Sequence, residues 1–172
     1  PQPFIGTGVI FFQTVIGDYH GWPAGTFATG FLIFAVTRGT CSIFAGAWAD
    51  RVGPQRLFGL STLLLGGGLF FLVLSAPLGA YAYFTCMGLC FGVSSAIVTP
   101  LFSAIFGVER IGEVRGASAS VAVFSTALAP AVFGYALHLG AQPTTVLVVC
   151  AAFLLLVSFP VSLIIRRQLR NL

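Results

Sequence analysis

Residues 46–56 read GAWADRVGPQR and lie between two long apolar runs of the chain. The pair Gly53-Pro54 predicts a tight turn directly after a helix. Gly46 lacks a side chain and predicts the close approach of a neighbouring helix. Asp50 places a carboxylate at the end of an apolar run, where it can accept hydrogen bonds from the N–H groups at a helix start. The alternative is that Asp50 and the arginine after it form a solvated loop pair, which contributes little stability.

The composition around this stretch is that of a membrane protein. Hydrophobic residues make up 58% of the 172 residues and charged residues only 7%, whereas soluble domains carry about 25% charged residues. The net charge of +4 comes from eight arginines. Because seven of these arginines stand in the connections or after the last run, and the eight form no basic face, the charge does not indicate a nucleic-acid partner. The sequence predicts a chain whose first partner is the lipid bilayer.

Six runs are apolar and long enough to predict membrane-spanning helices, since lipid cannot satisfy unpaired backbone groups. They cover residues 3–17, 24–48, 57–75, 80–106, 116–138 and 144–165. The connections carry turn-forming Gly and Pro. We therefore expect an all-α membrane protein, with residues 1–172 forming one six-helix transmembrane domain.

The arginines predict the orientation of these helices. If all six runs span, seven arginines lie on one side of the membrane and none on the other: Arg51, Arg56, Arg110, Arg115, Arg166, Arg167 and Arg170. The side rich in Arg is cytoplasmic in membrane proteins. We expect a multi-pass protein of the cell inner or plasma membrane with both ends of the chain in the cytoplasm.

The stretch 46–56 resembles the loop signature of the major facilitator superfamily, in which a Gly, three residues and Asp-Arg precede a further Gly and basic residues. Positions 54 and 55 depart from that pattern, because the family has Arg or Lys there. A second stretch, residues 109–116 (ERIGEVRG), is similar to the loop after the fourth helix of a half in this superfamily. The resemblance implies one conformational-gating motif made by both loops, with Asp50 near the start of the fifth helix. Its predicted members are Gly46, Asp50, Arg51, Gly53, Arg56, Glu109, Arg110 and Arg115.

The resemblance implies a secondary transporter (a permease) of a small solute. A transporter of this superfamily has two six-helix halves, and the chain begins without a leader and stops after the sixth run. We therefore expect the second half, helices seven to twelve, and an N-terminal six-helix half as a missing partner. The family also implies that the first, second, fourth and fifth helices of a half border the substrate cavity.

Arg38 is the main candidate for substrate binding because it lies inside the second apolar run. A guanidinium in lipid costs at least about 2.5–3.5 kcal/mol, so it should face water or a partner. A cavity-facing Arg binds a carboxylate through two parallel hydrogen bonds. Carriers of the monocarboxylate and oxalate–formate branch, which the chain resembles more weakly, use an Arg on this helix, four residues before the glycine rather than eight. The alternative is that Arg38 extends to the interface or braces its helix.

Four further polar residues of the cavity-side runs are predicted to bind substrate with Arg38: Gln13, Ser42, Ser94 and Thr99. For Gln13 a hydrogen bond between helices is an equal alternative. The four cysteines lie inside apolar segments, which predicts packing rather than disulfides or metal ligation.

Two other functions compete with transport. A membrane-embedded enzyme would need a nucleophile with a base, or a metal cluster, at membrane depth, and the apolar runs hold no His or carboxylate at depth. A non-transporting membrane scaffold is the second alternative. We expect no enzymatic activity and no cofactor or metal.

Overall fold

The computed structural model describes residues 1–74 and 76–170, except for the side chains of residues 55, 158, 159, 162, 163 and 165–170. Within these residues the fold is all-α, with seven helices and no strand. The helices are α1 (Gln2–Phe11), α2 (Gln13–His20), α3 (Gly25–Val52), α4 (Pro54–Phe71), α5 (Pro77–Phe106), α6 (Ile111–His138) and α7 (Pro143–Arg170). The predicted orientation depends in part on Arg166, Arg167 and Arg170, whose side chains lie outside the described part.

Three helices of the described residues are long and apolar enough to cross a membrane: α3, α5 and α6. Shorter apolar helical stretches lie in α1, in α4 from Arg56 and in α7 up to Val157. The chain is therefore an all-α membrane protein. Six full spans remain a prediction, because the other apolar stretches fall short of the required length within the described residues.

The first predicted run, residues 3–17, is two helices. Its helical path is interrupted at Phe12, whose backbone has φ −101° and ψ 14° and stands between α1 and α2. The second of these helices continues to His20 and ends at Gly21, which adopts a left-handed conformation with φ 66°. Periodicity could not predict the interruption, because no Pro or Gly stands at Phe12.

Each of the other helices extends beyond its apolar run at one end or both. Pro54, Pro77 and Pro143 are each the first residue of a helix, where a missing N–H costs nothing and the fixed φ is already helical. The turn predicted at Gly53 is present, with φ 89°. The helix of the fifth predicted run is α6, which begins at Ile111 rather than residue 116 and includes Arg115. The helix of the third predicted run is α4, which ends at Phe71. Ser75, the last residue of that run, lies outside the described residues.

Helix packing follows small residues. The main pairs are α3 with α5, α4 with α5 and α7, and α1 with α6. A Cβ on Gly68 would lie 2.8 Å from Cys86 Cβ, and one on Gly66 would lie 3.1 Å from Leu155 Cδ2. Glycine at these positions lets helix axes approach closely, which favours association in lipid, where the hydrophobic effect does not drive it.

The helices differ greatly in burial. The central helix α5 has eleven buried residues in 30. By contrast α6 has only two buried residues in 28, Ala129 and Phe133, and α3 has four in 28. Much of the surface of α3 and of α6 is therefore not covered by the other described residues.

Candidate functional site

Arg38 lies near the middle of α3, and its side chain is exposed. The guanidinium carbon stands 5.9 Å from the centroid of the Phe34 ring, within the range of a cation–π contact. Among the described residues no carboxylate forms an ion pair with Arg38. Its positive charge is therefore directed away from the bundle and has an aromatic neighbour but no counter-ion within the described part of the chain.

The backbone of Arg38 is held against α5 by two glycines. A Cβ on Gly88 would lie 3.0 Å from Phe34 O and 3.2 Å from Arg38 N. A Cβ on Gly92 would lie 3.0 Å from Arg38 O and 2.8 Å from Cys41 Cβ. Because the obstructing atoms include backbone, neither position can accept a larger residue without moving a helix. The two glycines fix where the Arg38 side chain starts.

Ser42 is one turn beyond Arg38 on α3, so the two residues are neighbours on the helix surface. Its hydroxyl donates to Gly39 O over 2.9 Å. The Ser42 oxygen keeps its capacity as an acceptor. Arg38 and Ser42 therefore lie on the same face of α3.

Gln13 is the first residue of α2, directly after the interruption at Phe12. Its Oε1 atom is buried and has no hydrogen-bond partner, so the predicted alternative of a bond between helices is not formed by this atom. No hydrogen bond within the described residues joins Gln13 to Arg38. An unpaired buried acceptor is costly, and the described side chains shield this one from solvent, whereas Arg38 is exposed.

Ser94 is part of a buried polar cluster rather than a free cavity residue. Its hydroxyl donates to Gln2 Oε1 over 3.2 Å. The Gln2 amide donates to Ser61 Oγ at 3.3 Å and to Thr62 Oγ1 at 3.1 Å. The cluster joins α1, α4 and α5. Ser94 was predicted from the sequence as a substrate ligand, without these partners.

Sequence reasoning missed Gln2, Ser61 and Thr62. Gln2 stands before the predicted start of the first run. Ser61 and Thr62 lie in the third run, which is not among the helices expected to border the cavity. Both hydroxyl residues are fully buried. The available signal was that polar side chains in an apolar helix require partners inside the bundle.

The charged residues around the junction of α3 and α4 are exposed. The side chains of Asp50, Arg51 and Arg56 are all exposed, and Asp50 forms no hydrogen bond or ion pair with another described residue. Gly46 is not a packing position within this chain, since a Cβ there would meet no atom within 4 Å. The expectation of close packing at Gly46 is wrong for this bundle, in which the close approaches occur at Gly88 and Gly92 instead.

The second loop brings two predicted residues together. Arg115 Nη1 donates to Thr99 Oγ1 over 3.0 Å. Thr99 was predicted to bind substrate and Arg115 to belong to the gating motif, so the structure joins a predicted substrate residue to a predicted gating residue. Glu109 and Arg110 are exposed and form no ion pair within the described residues.

The four cysteines are free thiols, and Cys90 and Cys150 are buried as the sequence predicts. No group of three or more His, Cys, Asp or Glu side chains comes together in the described part of the chain. The predicted substrate residues are thus one cation, three hydroxyls and one amide.

Comparison with protein families gives the decisive observation. The model of the Major Facilitator Superfamily matches residues 4–170, nearly the whole chain. The chain belongs to the Major Facilitator Superfamily. No curated protein and no solved structure matches it.

This major facilitator chain is a multi-pass membrane protein, and it is a membrane transporter of the superfamily's type. Members of the superfamily typically have no enzymatic activity. The match agrees with the all-α fold and with the resemblance of the loops at residues 46–56 and 109–116.

Proposed function

We propose that this chain is the C-terminal six-helix half of a secondary active transporter that carries a small organic anion. The observation that supports the anion is Arg38, a charge near the middle of a helix long enough to span the membrane. Within the described residues its side chain has an aromatic contact with the Phe34 ring and no ion pair. The substrate would supply the counter-charge that the described residues of this chain do not.

A carboxylate suits this position for physical reasons. The guanidinium presents a planar fork that matches the two oxygens of a carboxylate or phosphate, and it is never deprotonated. The hydroxyl oxygen of Ser42 would accept a hydrogen bond from a hydroxyl group elsewhere on the substrate. The buried Gln13 Oε1 would do the same only after its side chain moves into the cavity. Ser94 and Thr99 act indirectly in this proposal, because each already has a partner on another helix.

The proposal includes a second six-helix bundle, the N-terminal half of the transporter. The exposed faces of α3 and α6 include Val36, Ile43, Val121 and Phe124. In this family substrate sites lie near the midplane between two halves. A facing half would cover these side chains and enclose Arg38 in a cavity between the two bundles.

The loops at residues 46–56 and 109–116 would form the gate of this transporter. The arrangement that supports the gate is the exposed charged set Asp50, Arg51, Arg56, Glu109 and Arg110, with Arg115 joined to Thr99. Opposite charges that are unpaired in one conformation can pair in another, which would bias the conformational equilibrium. We place these loops, and both ends of the chain, in the cytoplasm of a cell with the protein in its inner or plasma membrane.

A transporter accounts for the site better than the two alternatives. A scaffold has no need of an unpaired Arg at membrane depth, which is costly and usually functional. An enzyme would need an assembled nucleophile or metal cluster.

Transport by the full-length protein in proteoliposomes tests this function. The panel should contain labelled monocarboxylates, dicarboxylates and a phosphate ester, together with a neutral sugar and an organic cation of similar size. We expect uptake of at least one anion, inhibited by other anions. Uptake of the sugar or the cation alone would contradict the anion assignment, and no exchange with any solute would contradict transport.

A further inference from the structure

A groove with a volume of about 420 Å³ opens between α1, α6 and α7. Its lining is apolar except for Thr145 and Cys150. The floor is buried and includes Ile5, Phe133 and Cys150, whereas Val149 and Phe153 on its rim are exposed. The groove is thus open on the side of α7 and has a closed floor within the bundle.

The groove exists because α6 and α7 are held by different neighbours. On one side α6 packs on α1, where Phe133 fills the space beside Gly8. On the other side α7 packs on α4 through the contact of Gly66 with Leu155. The two helices make few contacts with each other, so a wedge remains between them.

The open side of the groove is continuous with an apolar surface. Between Val148 and Val157 every exposed residue of α7 is apolar: Val148, Val149, Ala152, Phe153, Leu156 and Val157. As the sixth helix of the proposed six-helix half, α7 is not one of the helices expected to border the substrate cavity, so this surface faces lipid in the proposed arrangement. Because Val149 and Phe153 belong both to this surface and to the rim, lipid has direct access to the groove.

The dimensions fit part of one lipid leaflet. From Thr145 to Phe153 the groove follows nine residues of α7, and the rise between the first and the last is about 12 Å. This is less than half of the hydrocarbon core of about 30 Å. Water gains little there, and an apolar cavity of only ~150 Å³ stays dry and binds benzene. An anionic substrate would find no cation in the groove.

We propose that the groove between α1, α6 and α7 binds one acyl chain of a bilayer lipid from the leaflet that adjoins the α6–α7 connection. The chain lies along α7 from Thr145 towards Phe153 and packs on Ile5 and Phe133. It fills volume that would otherwise lack contact atoms. It also keeps α6 and α7 apart, so its removal would change the packing of α6 on α1.

The test uses the full-length protein in nanodiscs of phosphatidylcholine with a photoreactive diazirine near the middle of one acyl chain. After irradiation, mass spectrometry locates the labelled residues. We expect labelling at Val149 and Phe153 to be several-fold higher than at Leu156, which is exposed but does not line the groove. Equal labelling at the three positions would overturn the proposal.

Two variants that fill the groove make the test specific. Ala136→Phe fills it from α6 and Val149→Trp fills it from α7, so a folding failure of one leaves the other. Each should lower the lipid labelling of Phe153 several-fold, whereas the control Leu156→Trp should not. Unchanged labelling of Phe153 in a folded filling variant would contradict the proposal.

A photo-crosslinking amino acid distinguishes lipid from a protein occupant. Val149→p-benzoylphenylalanine places the reactive group on the rim. The proposal requires a phosphatidylcholine adduct as the main product. A main product with another segment of the protein, or with a second copy, would assign the groove to that segment and overturn the proposal.

Discussion

Arg115 Nη1 donates a hydrogen bond to Thr99 Oγ1 over 3.0 Å. This bond joins the first turns of α6 to α5, directly before Pro100 inside that helix. A proline there removes a backbone hydrogen bond and weakens the helix locally. The bond therefore connects a loop motif to a place where α5 can bend.

Removing this bond should slow transport. In Thr99→Val the hydroxyl is lost while the shape is kept, so the start of α6 is no longer held to α5. We expect Thr99→Val and Arg115→Gln to reduce the uptake rate by similar factors, and the double variant to be no worse than either, because both remove one interaction. The control is Ser103→Ala, whose hydroxyl bonds only to Pro100 O of its own helix. Additive losses in the double variant would show that the two residues act separately.

Arg38 is expected to determine anion transport. Hydrogen bonds to charged groups contribute about 1.5–3 kcal/mol, so loss of the guanidinium in Arg38→Ala should reduce uptake at least about tenfold. Arg38→Lys should also weaken uptake strongly, because an ammonium cannot form the planar fork. Uptake and surface expression are measured in parallel, with Leu156→Ala on the exposed surface of α7 as control. Normal uptake by a well-expressed Arg38→Ala variant would leave Arg38 as a structural brace.

The polar cluster predicts a difference between two adjacent serines. Ser94→Ala breaks the bond to Gln2, and hydrogen bonds between membrane helices contribute about 0.6 kcal/mol on average. Ser95→Ala is the matched control, since its hydroxyl bonds only to Gly92 O of its own helix. Denaturation in detergent should show a lower free energy of unfolding for Ser94→Ala alone. Equal stability of the two variants would mean that the cluster does not hold the helices together.

Gly88 should not accept a methyl group. Its Cβ would lie 2.9 Å from Thr37 Cβ and 3.0 Å from Phe34 O, and overpacking of this kind costs about 1–3 kcal/mol. We expect Gly88→Ala to lower the thermal midpoint and, by shifting α3, to impair transport. Gly39→Ala is the control, because a Cβ there meets no atom within 4 Å. A stable, active Gly88→Ala variant would show that α3 and α5 are not held at this distance.

The orientation is testable by cysteine labelling. In a variant without its native cysteines, Arg51→Cys and Arg110→Cys should react with an impermeant maleimide from the cytoplasmic side only. Leu78→Cys, near the start of α5 and strongly exposed, should react from the opposite side. The reason is the excess of arginine in the loops on one side. Labelling of positions 51 and 110 from different sides would disprove the predicted topology.

The candidate site was predicted in part. Arg38 was identified because a charge in an apolar run is rare and costly, and the structure leaves it exposed with no described counter-ion. Ser94 and Thr99 were selected for polarity alone. Their partners, Gln2 and Arg115, are 92 and 16 residues away in the sequence, so no local pattern could show that their hydroxyls were already engaged.

The sequence by itself determined that the protein lies in a membrane, that its fold is all-α and where a turn such as that at Gly53 falls. Hydropathy adds up residue by residue, so 58% hydrophobic and 7% charged residues suffice to predict a membrane protein. The turn at Gly53 follows equally from local chemistry, because glycine alone adopts its positive φ easily. Only the tertiary structure decided which glycines pack. Gly46 faces open space and Gly88 meets a backbone, because a close approach depends on the neighbouring helix and its rotation, which the residues of one helix do not specify.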